Sequence, residues 1–301
     1  MPRRFYTLDV FADRALAGNP LAVVLDADGL DTAAMQAIAR EFNLSETVFV
    51  LPPDRPENRA RLRIFTPGIE MPFAGHPTVG TSVLLATLDH PAGVADVVFG
   101  VEEIIGVIPC AVSLSATGAA FGRFSVPKMP SERELTVPAA AIATALGIEA
   151  SEIGFGSHRP SVFGTGFPFT YVPVASRAVL GRIRLNTAVW AETFGNEGLG
   201  AAFVYCREPE NPAHAFRARM FSPGDGIPED PATGSAASAL AGPICRFDRP
   251  SDGEHVFMIE QGFEMGRPSI IELTVSVRHG APAHIQIGGH AVIVSQGELH
   301  V

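Results

Sequence analysis

"RLRIFTPGIEMPFAGHPTVGTSVLLA", Arg61 to Ala86, and "RARMFSPGDGIPEDPATGSAASALAG", Arg217 to Gly242, are two versions of one segment. Arg61, Arg63, Phe65, Thr66, Pro67, Gly68 and Pro72 stand opposite Arg217, Arg219, Phe221, Ser222, Pro223, Gly224 and Pro228, at a constant offset of 156. Past that point the second version is three residues longer, and Gly234 comes into line with Gly75. Each version opens with a short strand of alternating charged and apolar residues. It then breaks at Thr/Ser-Pro-Gly and runs into a helix of small and aliphatic residues. The helices, Thr78 to Leu88 and Gly234 to Leu240 and beyond, are apolar all round, so they must be buried. The repeat implies an internal duplication, with two similar halves facing each other.

Outward from this segment, "YTLDVF", "LAVVL", "TVFVL", "FTYVPV", "AAFVYC", "VFMIEQ", "IIELTVSV" and "HAVIVS" read as strands. "DTAAMQAIAREF" reads as an amphipathic helix with Met35, Ile38, Ala39 and Phe42 on one face. The fold class expected is α+β, with two pseudo-symmetric lobes, each a curved, mostly antiparallel sheet wrapped around a central helix. The first lobe should span about residues 1–127 and the second about 130–285.

The 301 residues are 47% hydrophobic and 18% charged, enough for two domains with buried cores. A net charge of −10 argues against a nucleic-acid partner, which would need a basic stripe. No apolar run approaches a membrane span, and "MPRRFYTLDVF" turns acidic too soon for a signal peptide, so a cytoplasmic location is the default. Cys110, Cys206 and Cys245 lack metal-like or redox spacing and read as buried, reduced thiols. Lys128 is the single lysine and sits in an exposed-looking link, which disfavours Schiff-base chemistry. Walker, GxSxG and HExxH motifs are absent from the sequence.

The functional candidates cluster at the two helix openings. The first four N–H groups of a helix lack internal partners, and the helix dipole adds partial positive charge there. Gly75 and Gly234 allow close approach of the backbone, while Pro77 and Pro231 stiffen the entry. If the halves face each other, both openings point into one cleft suited to a small carboxylated molecule. The competing expectation is that Thr78, Thr233 and Ser235 merely cap their own helices. In "FNLSETVFV", strand alternation puts Glu46 on the face of Val48 and Val50, where partial burial would raise its pKa towards a range useful for proton transfer. Taken singly, Glu46 could also be a strand-end carboxylate turned to water, His76 a structural histidine and Asp230 part of an acidic turn.

Together, "DVFADRALAGNPLAVVL", "IAREFNLSETVFV", "RIFTPGIEMPFAGHPTVGT", "RMFSPGDGIPEDPATGSAA" and "QGFEMGRPS" resemble the PhzF-like family of phenazine biosynthesis, from Tyr6 to Ser269. The resemblance implies the two-lobed diaminopimelate epimerase-like fold, a last strand (288–301) returning to the first lobe, and a homodimer. The family's best-known member isomerises trans-2,3-dihydro-3-hydroxyanthranilate without metal or organic cofactor. Carried over by motif, its essential glutamate falls on Glu46, its histidine on His76, its aspartate on Asp230 and its Gly-Ser pair on Gly234 and Ser235. Ser45, Gly75 and Thr233 complete the expected substrate-binding set. The implied chemistry removes a proton beside an unsaturated system and returns it to another carbon.

Two rivals accompany this expectation. One is a metal-free amino-acid racemase or epimerase using Glu46 with another acid. Related epimerases place a cysteine at each helix start, and Ala74 and Thr233 stand there instead, so a two-thiol mechanism is disfavoured. The other is a non-catalytic binding protein on the same fold.

Overall fold

The computed structural model describes residues 2–91, 93–116, 119–195 and 200–301. The chain divides into two compact units, Met1–Ser125 with Gly288–Val301, and Val126–Ile287. The first unit contains β1 (Arg3–Val10), β2 (Asn19–Val24), helix α1 (Thr32–Phe42), β3 (Glu46–Leu51), β4 (Ala60–Phe65), β5 (Glu70–Met71), helix α2 (Gly75–Asp89), β6 (Ala95–Glu103), β7 (Gly106–Leu114) and β8 (Ala120–Ser125). The second contains β9 (Ser131–Arg133), α3 (Ala139–Leu146), β10 (Ser161–Gly164), β11 (Pro168–Pro173), α4 (Arg177–Arg182), α5 (Thr187–Phe194), β12 (Ala202–Cys206), β13 (Phe216–Ser222), β14 (Ile227–Asp230), α6 (Gly234–Ala239), β15 (Gly253–Gln261) and β16 (Ser269–Arg278). A long last strand, β17 (Ala281–Leu299), begins in the second unit and runs into the first.

The duplication is written into the strand pairings. In the first unit β1–β2 is antiparallel, β2–β3 parallel, β3–β4 antiparallel, β4–β6 parallel and β6–β7 antiparallel. In the second, β10–β11, β11–β12, β12–β13, β13–β15 and β15–β16 repeat that order and polarity. The Pro-Gly breaks form the β4–β5 and β13–β14 hairpins. Each hairpin is clamped by a bidentate pair, Arg63 to Glu70 and Arg219 to Glu229, at N···O distances of 2.6–2.8 Å. The same guanidinium groups lie over Phe65 and Phe221, 5.1 Å and 4.8 Å from the ring centroids.

A further match lies outside the segment that reveals the repeat. Glu102 accepts bonds from the backbone N–H groups of Asp54 and Arg55 and from the Asn58 side chain. Glu260 accepts from the N–H groups of Glu210 and Asn211 and from the His214 ring. These three donors in each unit are again 156 residues apart, and Arg217 adds a fourth bond to Glu260 at 3.0 Å. A buried carboxylate thus pegs the turn before the central strand in both halves.

In the first unit β17 pairs with both β1 and β8, so eight strands close around α2. Every residue from Gly75 to Ala86 is buried, as an all-apolar helix requires. Gly80 permits the fit: a Cβ there would meet Val10 Cγ2 at 2.6 Å and Leu21 Cδ2 at 2.7 Å. In the second unit α6 is short and passes at Leu240 into a turn at Ala241–Pro243 and a π-turn at Ile244–Asp248. Pro243 has no N–H to continue the regular ladder, which accounts for the change of pitch. Among the described residues no helix is long and apolar enough to cross a membrane.

Gly80→Ala should destabilise the chain by about 1–2 kcal/mol, because overpacking outweighs the better helix propensity of alanine. Gly224→Ala, where a Cβ meets nothing within 4 Å, should change little. Urea denaturation of both variants checks the contrast.

Candidate active site

The first unit brings Glu46 and His76 together. Chain direction changes at Asn43, which caps α1 in the left-handed conformation (φ 50°), and β3 then starts at Glu46. Parallel pairing sets Glu46 beside Leu21, next to the "GNP" turn. His76 is the second residue of α2, and its ring donates to the carbonyl of Pro20. His76 Nδ1 lies 3.4 Å from Glu46 Oε2, with the side chains 4% and 14% exposed respectively. Burial pushes the imidazole down to about 3, only partly opposed by the Pro20 bond, so the ring is neutral at physiological pH. Its Nε2 is buried without a hydrogen-bond partner among the described residues, the kind of orphaned atom that a bound ligand would satisfy.

The expectation that Thr78 caps α2 is corrected. Ala74 occupies the N-cap position and supplies no side-chain cap bond. Thr78 Oγ1 instead bonds back to the Ala74 carbonyl at 2.7 Å and lies 2.7 Å from Glu103 Oε1. Glu103 is buried, and burial raises its carboxyl to about 8, with Thr78 acting in the opposite direction.

The second unit brings Asp230 and Thr233 together. Asp230 ends β14 and is 6% exposed. Thr233 stands at the N-cap of α6, but its hydroxyl does not cap the helix. It donates to Asp230 Oδ2 at 2.5 Å. The Gln261 amide knits this corner together. Its Oε1 accepts from Thr233 N at 3.1 Å, and its Nε2 donates to the Asp230 carbonyl at 2.8 Å and to Thr233 Oγ1 at 3.0 Å. Gly262 follows at φ +77°, where a Cβ would sit 2.4 Å from the Arg267 carbonyl oxygen and 2.5 Å from that of Pro231. That is why "QG" is needed at this crossing.

Gly75 and Gly234 open their helices and are buried, while Ser235 and Ser45 are half-buried beside Gly234 and Glu46. The three cysteines are buried and lie at neither helix opening. Among the described residues no group of three or more His, Cys, Asp or Glu could hold a metal ion. Sequence reasoning assigned no role to Pro20, Gln261 or Glu103. The strand ends "VEE" (101–103) and "IEQ" (259–261) carry the signal that could have found the last two.

Residues 8–297 match the model of the phenazine biosynthesis-like protein family. An uncharacterized isomerase of Mesorhizobium japonicum is 52% identical over 99% of both chains. The trans-2,3-dihydro-3-hydroxyanthranilate isomerase of Pseudomonas aeruginosa is 31% identical, again over 99% of both. The crystal structure of a PhzF-family phenazine biosynthesis protein from Bacillus anthracis superposes with a TM-score of 0.89, at 27% identity, covering all of both chains.

The low folded-state pKa of His76 makes a signed prediction. The unfolded chain protonates this residue below about 6.5, whereas the folded one waits until about 3. The stability contribution is present above that window and is lost as pH falls through it. Between pH 6.5 and 4 the wild type should lose on the order of 3 kcal/mol more than His76→Gln, measured by denaturant titration at each pH.

Proposed function

The chain belongs to the phenazine biosynthesis-like protein family, and from that premise we propose that it is an isomerase moving a proton on a small carboxylated metabolite, with Glu46 as the carrier. The Glu46 carboxylate takes a proton from a substrate carbon beside an unsaturated system and becomes a carboxylic acid. The freed electron pair delocalises through the double bonds. Glu46 then returns the proton to a different carbon, so the enzyme ends as it began and the double bonds have moved. No step needs a cofactor.

His76 orients and polarises the substrate as a neutral ring, and Asp230, braced by Thr233 and Gln261, holds its amino or hydroxyl groups. Backbone N–H groups at Gly75 and Gly234, with Ser45, Thr233 and Ser235, engage the substrate carboxylate and the negative charge that develops during proton transfer. The observation that carries this reading is the largely buried Glu46 carboxylate 3.4 Å from an uncharged imidazole. A charged histidine there would hold Glu46 as an ion pair. A neutral one leaves it a base.

The finer proposal is a cyclic, amino-bearing carboxylate of the type named for the Pseudomonas aeruginosa relative. The test is incubation with trans-2,3-dihydro-3-hydroxyanthranilate and a panel of carboxylated metabolites in deuterated water, followed by proton NMR. Deuterium at a new carbon together with a moved double bond supports the proton shift, whereas exchange at one stereocentre with inversion would replace it by epimerisation. Glu46→Gln should lower kcat by at least about a thousandfold. Retention of full turnover by that variant removes Glu46 from the mechanism.

A further inference from the structure

Glu103 takes no part in the chemistry above, yet its surroundings are unusual. Thr78 has one hydroxyl proton and two oxygens 2.7 Å from its Oγ1, the Ala74 carbonyl and Glu103 Oε1. One proton cannot serve both, and two lone pairs facing each other at that distance would repel. The contradiction disappears if Glu103 carries a proton. The carboxylic acid then donates to Thr78, and Thr78 donates to Ala74, the residue immediately before the Gly75–His76 opening. The other carboxyl oxygen, Oε2, is buried with no hydrogen-bond partner among the described residues, a position too costly for an anion.

The charged and titratable groups nearby do not offset such an anion. Glu102 projects from the opposite face of β6, where it is in register with Arg61 on β4 and bonded to the Asp54–Asn58 turn. On β7, Cys110 is a neutral thiol, pushed up to about 12 chiefly by burial, and Ser82 of α2 bonds it. His76 at the head of α2 is neutral. No basic side chain enters the balance at Glu103, which is set by burial and Thr78.

The second unit supplies an independent observation. Parallel pairing aligns Arg61 with Glu102 and Arg217 with Glu260. Glu103 and Gln261, each the next residue, are therefore counterparts. Gln261 is an uncharged amide that braces Thr233, the residue in the N-cap place that Ala74 holds in the first unit. The contacts differ in detail, since Glu103 reaches Ala74 through Thr78 while Gln261 reaches Thr233 directly. The task is the same.

We propose that Glu103 is a positioning residue that works as an uncharged carboxylic acid, the first unit's counterpart of the Gln261 amide, and that each holds the loop ahead of its helix so that His76 and Asp230 are presented to substrate. The roles given to His76 and Asp230 rest on the proposed function, but the protonation and bracing of Glu103 do not.

The test compares wild type with E103Q and E103A. The wild-type minus E103Q infrared difference spectrum should contain the carbonyl stretch of a protonated carboxylic acid at pH 7, and this band should bleach as pH rises through about 8. The folded pKa is raised above the unfolded value of 4.5, so the contribution to stability is whole below 4.5 and is lost as pH rises to about 8. The stability of wild type relative to E103Q should therefore fall across that window and then level. With nitrogen-15-labelled histidine, the His76 ring resonances of E103Q should match wild type, and those of E103A should move.

Absence of the band at pH 7, or E103A resonances that match wild type, overturns the proposal. If E103A does not fold, E103Q still decides, because displaced His76 resonances or loss of folding in E103Q overturns it equally. None of these readings uses a substrate, so they stand or fall separately from the isomerase activity.

Discussion

A helix enclosed by strands has to begin inside the protein, and its first amide groups then have no carbonyl to bond. Buried polar groups left unsatisfied are costly, so the surrounding chain must either answer them or leave them for a ligand. In α2 the nearest hydroxyl does not answer them, because Thr78 is turned back onto the Ala74 carbonyl. In α6 the N-cap hydroxyl of Thr233 is engaged with Asp230. Neither N-cap residue, Ala74 or Thr233, makes a side-chain hydrogen bond to its own helix. The residues proposed to act on substrate are next to these openings: His76 is the second residue of α2, and Asp230 ends the strand just ahead of α6.

Burial that encloses α2 also decides which groups there carry charge. It disfavours the ionised form of every titratable side chain, so it pushes the His76 ring down and the Glu103 carboxyl up. Both end uncharged at neutral pH, by the same cause acting on an acid and a base. A fixed anion at position 103 would oppose an incoming carboxylate, and a fixed cation at position 76 would hold Glu46 as an ion pair. Neutrality removes both effects and leaves the helix dipole free to act on the ligand.

The fold was legible because duplication preserved whatever sets strand register. Arg61, Arg63 and Phe65 and their counterparts lie in paired strands ending at a tight turn, where a shift of one residue would turn every side chain to the wrong face. No strand was expected between Ala95 and Ser125, yet β6, β7 and β8 run there. The pattern is obscured because Val98 is 80% exposed and Val107 39%, so apolar residues stand on the outer face as well. Helix α2 opens at Gly75, three positions before the start at Thr78 that the sequence suggests, because Gly75, His76 and Pro77 are weak helix formers whose preference tertiary packing overrides. Of the candidate residues, the side-chain contacts Glu46–His76 and Asp230–Thr233 follow motifs visible in the sequence. Glu103 is not legible in the sequence, because an acid next to another acid at the end of a strand looks like a solvated pair, and only the closed ring of strands shows that it is not.

Divergence between the two copies separates what the scaffold demands from what the chemistry demands. Glu102 and Glu260 each accept bonds from two backbone N–H groups and from side chains, one for Glu102 and two for Glu260, a task that a carboxylate performs and an amide, with one acceptor oxygen, does less well. Both copies keep glutamate there. The next position must donate towards the loop ahead of the helix, which an ionised carboxylate cannot do. One copy meets the requirement with the Gln261 amide. The other meets it with glutamate only if that side chain holds its proton, and the burial of α2 is what makes it hold. At the helix openings themselves the copies set unlike residues in line, Ala74 with Thr233 and His76 with Ser235. The proposed chemistry draws on positions that the duplicated scaffold has left unlike.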